Sequence, residues 1–478
     1  MRHLSLGLSA LLAGLVTTSP TLAQEKTDAH VRALAAGYKA LFLCGGVFDA
    51  GRTQAQVEAE ELSRIYPEYR ALIPTLPAVV DPAAKTVSVR FAADLPPRLV
   101  AWRPGLGCAQ LPIGAGPEGI ARLPRLTATP PSGDPDAAAW PMGDARAQGR
   151  LSMGAATRID QLLAAAFDRK TYGEGADTTG VVIVQDGKIV GERYRAGFDA
   201  HTPSRTWSAA KSITGTLVGI AVKQGLLRVD APANIPEWRT PGDPRAAITL
   251  GNLLHMGSGL DSDRRGNRTD EIYLGGASVS QKATSMALEA APGTRWKYAN
   301  DDTLLAARSL RAAIGDDDRY LAFPFRELLW KIGMRHTTPE TDWAGNYVLS
   351  SQVWTTGRDL ARLGLLYLND GIWNGERILP EGWVRYETTP APAQPEAAAS
   401  GKSPGYGAQF WLWGPKQGLP EGTYAAEGSQ GQIVMIVPSL RLIVVRRGLD
   451  GLAPGEAQFD AGRFTADVIA ALGAKRGV

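Results

Sequence analysis

The chain has 478 residues, is 44% hydrophobic and 21% charged, and carries a formal net charge of +3. That length predicts more than one domain and ample material for a large core. The composition is that of an ordinary globular protein, the small charge points to no particular partner, and no basic run with interleaved aromatics supports nucleic-acid binding.

Met1–Ala23 reads as a secretory signal. Arg2 and His3 precede the apolar run Leu4–Val16, and Thr21-Leu22-Ala23 offers small residues before Gln24. The run is too short to span a bilayer comfortably, and no later segment looks like a membrane helix. With no cysteine at the cleavage point, lipid attachment is not expected. The mature chain is therefore expected in the periplasm or medium. In such an oxidising compartment its only two cysteines, Cys44 and Cys108, are predicted to form a disulfide, the alternative being two free thiols.

Residues 24–147 form a predicted N-terminal region. Helical pattern covers Val31–Leu43 and Gln54–Ile65, and strand-like pieces follow at Thr86–Phe91 and Arg98–Trp102. No catalytic motif lies there. Pro124–Ala147, rich in Pro, Gly and Ala, reads as a linker or a wrapping arm. Residues 148–478 form the second predicted domain, opening with an amphipathic helix at Ile159–Phe167. Val181–Val190 is a hairpin with Asp186-Gly187 at its turn.

Trp207–Ala221 then reads as one buried helix, apolar on nearly every face and stopped at Gly225. Gly215 and Gly219 leave a shallow strip for a close neighbour. Ser208 and Lys211, three apart at the helix start, share a face. A serine hydroxyl needs a base to become a nucleophile, and burial plus the positive helix end push a lysine toward its neutral form. The N–H of Ser208 can also face a developing oxyanion. Ser-x-x-Lys is common by chance, but this is the only such pair in the chain and it opens the most apolar helix of this half.

The region from Ile248 to Pro390 is mostly helical in pattern. Within it, Pro292-Gly293-Thr294 makes a turn that sets Tyr298 and Asn300 on one side of an extended piece. A phenol there can relay the serine proton to a leaving group, and an amide can orient the network. Tyr367-Leu368-Asn369 is a rival, read instead as a packing residue and a helix cap. Thr389–Ser403 is a surface loop. The strands Ala408–Trp413, Gln432–Val437 and Leu442–Arg446 close the chain, so the sheet draws strands from both ends of the domain. Trp411 and Trp413 alternate on one strand and are candidates to line the acyl side of the site, with core packing the equal alternative. His255 reads as structural, and His201 and His336 as loop residues. There is no His-Glu-x-x-His and no glycine-rich phosphate loop, so neither a metal nor a cofactor is expected.

Ser208-x-x-Lys211 followed by Tyr298-x-Asn300 resembles the serine β-lactamase and penicillin-binding-protein superfamily. The likeness is strongest to the branch of class C β-lactamases, esterases of that fold and 6-aminohexanoate-dimer hydrolases. Ile248–Leu260, Trp330-Lys331-Ile332-Gly333-Met334 and Thr356–Gly364 fit that branch, and the resemblance runs from about Thr179 to the C-terminus. It implies an α+β fold: an antiparallel sheet flanked by helices with an all-helical subdomain, here preceded by a small mixed N-terminal region. It also implies that Ser208 is acylated by a small ester or amide, with Lys211 as base partner and Tyr298 as relay.

The third superfamily motif, Lys-Thr-Gly or a histidine form of it, is missing. By register against Gln432–Val437 its place falls on Thr423-Tyr424-Ala425, with no cation. The following Gly428-Ser429-Gln430-Gly431-Gln432 resembles the aminohexanoate-hydrolase branch and makes Gly428 and Gln430 candidates for substrate contact. The backbone N–H of Ala426 is the expected second oxyanion donor. The competing readings are a D,D-peptidase or β-lactamase, and a catalytically silent cell-wall-binding protein.

Overall fold

A computed structural model describes residues 22–262 and 268–473. The predicted signal run therefore lies outside the described residues. The chain opens with helix α1 (Leu22–Cys44), extended by a π turn at Gly45–Asp49. Almost every side chain from Ala33 to Cys44 is buried, which is why the segment is apolar all round. The stretch Asp28–Asp49 has the length and hydropathy of a membrane span, but 78% of its apolar window is buried inside the protein. Its cover is the antiparallel meander β1 (Ala78–Asp81), β2 (Thr86–Val89), β3 (Arg98–Arg103) and β4 (Gly107–Gln110). The expected disulfide is present, tying Cys44 at the end of α1 to Cys108 in β4.

The remainder is a seven-stranded antiparallel sheet with helices on both faces. Its elements in chain order begin with α2 (Met153–Ala166), the hairpin β5 (Thr178–Gln185) and β6 (Lys188–Tyr194), and the two-residue β7 (Ser204–Arg205). Then come α3 (Ala210–Lys223), α4 (Asn300–Ile314), α5 (Asp317–Pro324), β8 (Thr338–Pro339), β9 (Val353–Thr355) and α6 (Gly357–Leu368). The small hairpin β10 (Ile372–Trp373) and β11 (Glu376–Arg377) precedes β12 (Gly405–Tyr406), β13 (Trp411–Leu412), β14 (Tyr424–Gly428), β15 (Gln432–Val437), β16 (Leu442–Gly448) and α7 (Ala461–Ala471).

The large sheet runs β12-β13-β14-β15-β16-β5-β6. Asp186 and Gly187 take positive φ at the β5–β6 turn, as the Asp-Gly pair predicts. The long middle region, expected to be mostly helical, joins its helices by long irregular segments and also holds β8, β9 and the β10–β11 hairpin, strands too short to show a readable alternation.

One apolar cluster runs without interruption from α1 through α3 to β14–β16. Phe42 of α1 meets the Trp207 ring at 5.5 Å, and Gly45 lies so close to Trp354 of β9 that a Cβ would sit 2.2 Å from its ring. The Pro124–Ala147 arm wraps the second half: the Trp140 indole donates to Gly187 O at 2.9 Å, while Arg362 stacks over the same ring and donates to Pro141 O and Gly143 O.

The strip at Gly215 and Gly219 of α3 is filled by Glu387 and Trp383, four residues apart on the short helix Trp383–Glu387. A Cβ on Gly219 would sit 2.5 Å from the Trp383 indole nitrogen. Gly219→Ala adds about 1 kcal/mol of helix propensity but overpacks a buried ring at a cost of ~1–3 kcal/mol. We expect net destabilisation in urea unfolding; an equal or more stable variant contradicts this packing.

Candidate active site

Ser208 sits in a single 3₁₀ turn, Trp207–Ala209, that leads directly into α3. Trp207 has φ +50°, a conformation that a bulky residue adopts at a cost of about 1–3 kcal/mol. Its indole donates to Gln430 Oε1 at 3.0 Å, and its ring is packed by Phe42 and Tyr66 with the Arg205 guanidinium above it. The turn before the nucleophile is thus held in place by the N-terminal region on one side and the β14–β15 turn on the other.

Lys211, in the first turn of α3, is 1% exposed. Its Nζ lies 3.1 Å from Ser208 Oγ, 2.6 Å from Asn300 Oδ1 and 2.9 Å from Ser350 O. Burial pushes its pKa down to about 7, against the opposing pull of the Asp301 carboxylate. A neutral amine has two N–H donors and one lone pair. Asn300 and Ser350 take the two donors, which leaves the lone pair for the Ser208 hydroxyl. Asn300 is the first residue of α4, and Tyr298 stands two residues before it in extended chain. The Tyr298 hydroxyl hydrogen-bonds with Ser208; burial holds the phenol above its ordinary pKa, that bond lowers it, and nearby Glu427 raises it. The ring stacks on Trp411 at 5.4 Å and faces the lysine Nζ at 5.0 Å.

The strand beside the nucleophile is β14. A Cβ on Gly428 would meet Thr206 O at 2.2 Å and Ser208 N at 3.0 Å, so only glycine allows this approach. The stretch at the site is therefore Ala426-Glu427-Gly428, three residues beyond the Thr423-Tyr424-Ala425 expected from the sequence. Thr423 is instead buried with its hydroxyl on Pro420 O, and Tyr424 packs on Phe410 and Tyr367. The Ala426 N–H also differs from expectation. Trp413 N donates to Thr423 O, so alternation aims the Ala425 amide at β13 and the Ala426 N–H at Val434 of β15. Ser429 opens the turn that follows β14 and lines the cleft together with Ser208.

The cleft over Ser208 has a volume of about 360 Å³, and its walls include Tyr66, Arg268, Tyr298, Trp411, Glu427 and Ser429. Gly428 and Trp411, expected as substrate contacts, line it. Gln430 and Trp413 do not: Gln430 holds the Trp207 indole, and Trp413 donates to Glu427 Oε1 at 2.6 Å from behind. Burial raises the Glu427 carboxyl to about 7, opposed by the Trp413 hydrogen bond. Tyr367 is away from the site, bonded to Thr216 and Glu387 within the core. Among the contributors that the sequence does not reveal are the Ser350 carbonyl, which carries no side-chain signal, and Tyr66, Arg268, Tyr273 and Ser351, which only the tertiary fold brings to the cleft. Arg268 forms an ion pair with Glu68.

Residues 159–446 match the sequence model of the β-lactamase family. A 6-aminohexanoate-dimer hydrolase from Paenarthrobacter ureafaciens is 25% identical over 321 residues, covering 60% of this chain and 77% of that protein. Among solved structures, a family VIII carboxylesterase shares the fold with a TM-score of 0.54 and 16% identity, over 68% of this chain and 98% of that one. A class C β-lactamase does so with a TM-score of 0.50 and 15% identity, over 66% and 96% of the two chains. With the family match spanning more than half of its length, the chain belongs to the β-lactamase family, within the superfamily of serine β-lactamases and penicillin-binding proteins.

Proposed function

We propose that this chain is an exported serine hydrolase that cleaves small esters or amides through an acyl-enzyme on Ser208. The carrying observation is the buried Lys211 amine, whose two donors are engaged by Asn300 and Ser350 while its lone pair faces the Ser208 hydroxyl. Ser208 Oγ attacks the carbonyl carbon as its proton passes to Lys211. The oxygen that becomes negative accepts from the Ser208 and Ser429 N–H groups. Tyr298 gives its proton to the leaving oxygen or nitrogen and is reprotonated by Lys211. Water then repeats the sequence in reverse and frees the acid. Hydrolases of this fold act on both bond types in name, as 6-aminohexanoate-dimer hydrolase and carboxylesterase. The nucleophile, base and relay are all in contact, which counts against a silent binding protein. Export is supported by the apolar N-terminal run and the disulfide.

A fluorophosphonate probe should label Ser208 alone, and Ser208→Ala should abolish label and turnover. Lys211→Ala and Tyr298→Phe should each cost on the order of 10²–10⁴ in rate, and the double variant far less than the product of the two losses. Labelling at another serine, or independent effects, contradicts the shared proton network.

The base works only when deprotonated. With Lys211 at about 7, kcat/KM should climb as pH rises through the neutral range and level off above it. A rate already at its plateau at pH 5 would show that Lys211 is not the titrating base.

Substrates with a carboxylate beside the scissile bond would meet Glu427 where the superfamily usually offers a cation, and Arg268 is already paired to Glu68. Losing one charge-assisted contact costs roughly 1.5–3 kcal/mol, and the ionised fraction of Glu427 adds repulsion. Aryl esters should therefore exceed cephalosporins by at least ~100-fold in kcat/KM. Comparable cephalosporin turnover would favour the β-lactamase or D,D-peptidase reading instead.

A further inference from the structure

Far from any role in the serine chemistry, the arm and the second half of the chain bring two imidazoles and a carboxylate together. His336 Nε2 lies 2.7 Å from Asp136 Oδ1, and His201 Nε2 lies 3.5 Å from Asp136 Oδ2. One donor atom from each of the three residues falls within 4.8 Å of the others. The two rings are stacked, 5.0 Å between centroids and 23° from parallel, with both Nε2 atoms directed at the same carboxylate. Asp144 Oδ2 also reaches His201 Nε2, at 2.7 Å. The sequence gives no hint of this, because Asp136 and Asp144 lie in the wrapping arm, His201 follows β6 and His336 precedes β8.

We propose that Asp136, His201 and His336 bind one divalent cation, with water completing its shell, and that the donor set suits Zn²⁺ best. Imidazole nitrogen and carboxylate oxygen are ordinary zinc ligands, held at about 2.0–2.2 Å, which places tetrahedral donors roughly 3.3 Å apart. The two imidazole–Asp136 separations, 2.7 and 3.5 Å, bracket that spacing.

The surroundings favour a cation and hold the ligands in place. Around the cluster run the pairs Arg358–Glu192, Arg358–Asp144, Arg362–Asp144 and Arg362–Asp359. Together with Asp136 these are four carboxylates against two guanidiniums, a deficit that one divalent ion offsets. Arg358 and Arg362 fix Asp144, and the His336 backbone N–H donates to Asp359 Oδ2 at 2.9 Å. His201 is 46% exposed along its side chain, so the ion has a path from solvent. Bound there, it would cross-link the arm to two separate segments of the second half.

The test uses the full mature protein after chelation and dialysis, titrated with zinc chloride by calorimetry at neutral pH. One ion per chain is expected, with a rise in Tm that disappears in His201→Ala/His336→Ala. Each single His→Ala change, and Asp136→Asn, should weaken binding by at least ~10-fold. Cobalt(II) should give the visible bands of a low-coordinate site in the unaltered protein and lose them in the double variant. This readout on the unaltered chain serves even if a variant folds poorly. No binding heat with zinc, or binding and cobalt spectra unchanged by the double substitution, overturns the proposal.

Discussion

The site depends on keeping one amine out of water. An isolated ammonium in the interior is so costly that the group loses its proton instead, and a neutral lysine is what a serine requires of its base. The surroundings of Lys211 can be read as conditions for that state. Helix α3 is buried from Ala210 to Ala221, which keeps water from its first turn. Asn300 and the Ser350 carbonyl stand where a neutral amine still needs acceptors, and they fix the direction of its lone pair. Asp301 restrains the shift, so the pKa stops near neutrality rather than falling far below it. A base poised near working pH combines a large deprotonated fraction with useful proton affinity.

The nucleophile rests on a second constraint, the left-handed Trp207. Strain of this kind persists only where surrounding contacts over-determine it. Here those contacts come from the Gln430 side chain and from Phe42 and Tyr66 of the N-terminal region. The N-terminal region lacks any catalytic motif, yet it forms one wall of the turn that aims Ser208. Its disulfide fixes the end of α1 from which Phe42 projects.

Much of this was legible in the chain, and the pattern of success has a physical basis. Ser208 with Lys211, and Tyr298 with Asn300, are local pairs whose spacing fixes their relative direction. The Asp186-Gly187 hairpin and the apolar runs of β15 and β16 are equally local. Sequence reasoning misplaced the third motif by three residues because Ser429–Gly431 reverses the chain in a tight turn, with Gln430 in the left-handed region. That shift also explains why Ala426 faces β15: moving along a strand by one residue exchanges the two edges. What stayed hidden was non-local. The Ser350 carbonyl has no side-chain signature, and His201 and His336 meet Asp136 only after three distant segments have folded together.

The sheet order has a bearing on how the chain acquires its structure. Strand β5, near the start of the second half, pairs along its length with β16 near the end, and the nucleophile, its base and its relay all lie between them. Until β16 is in place, β5 and β6 form an isolated hairpin, marginal in water, with an apolar unpaired edge. Folding therefore has a late, long-range closing step, and species halted before it expose a sticky strand to neighbouring chains. During synthesis that edge of β5 stays uncovered until residues 442–448 have emerged.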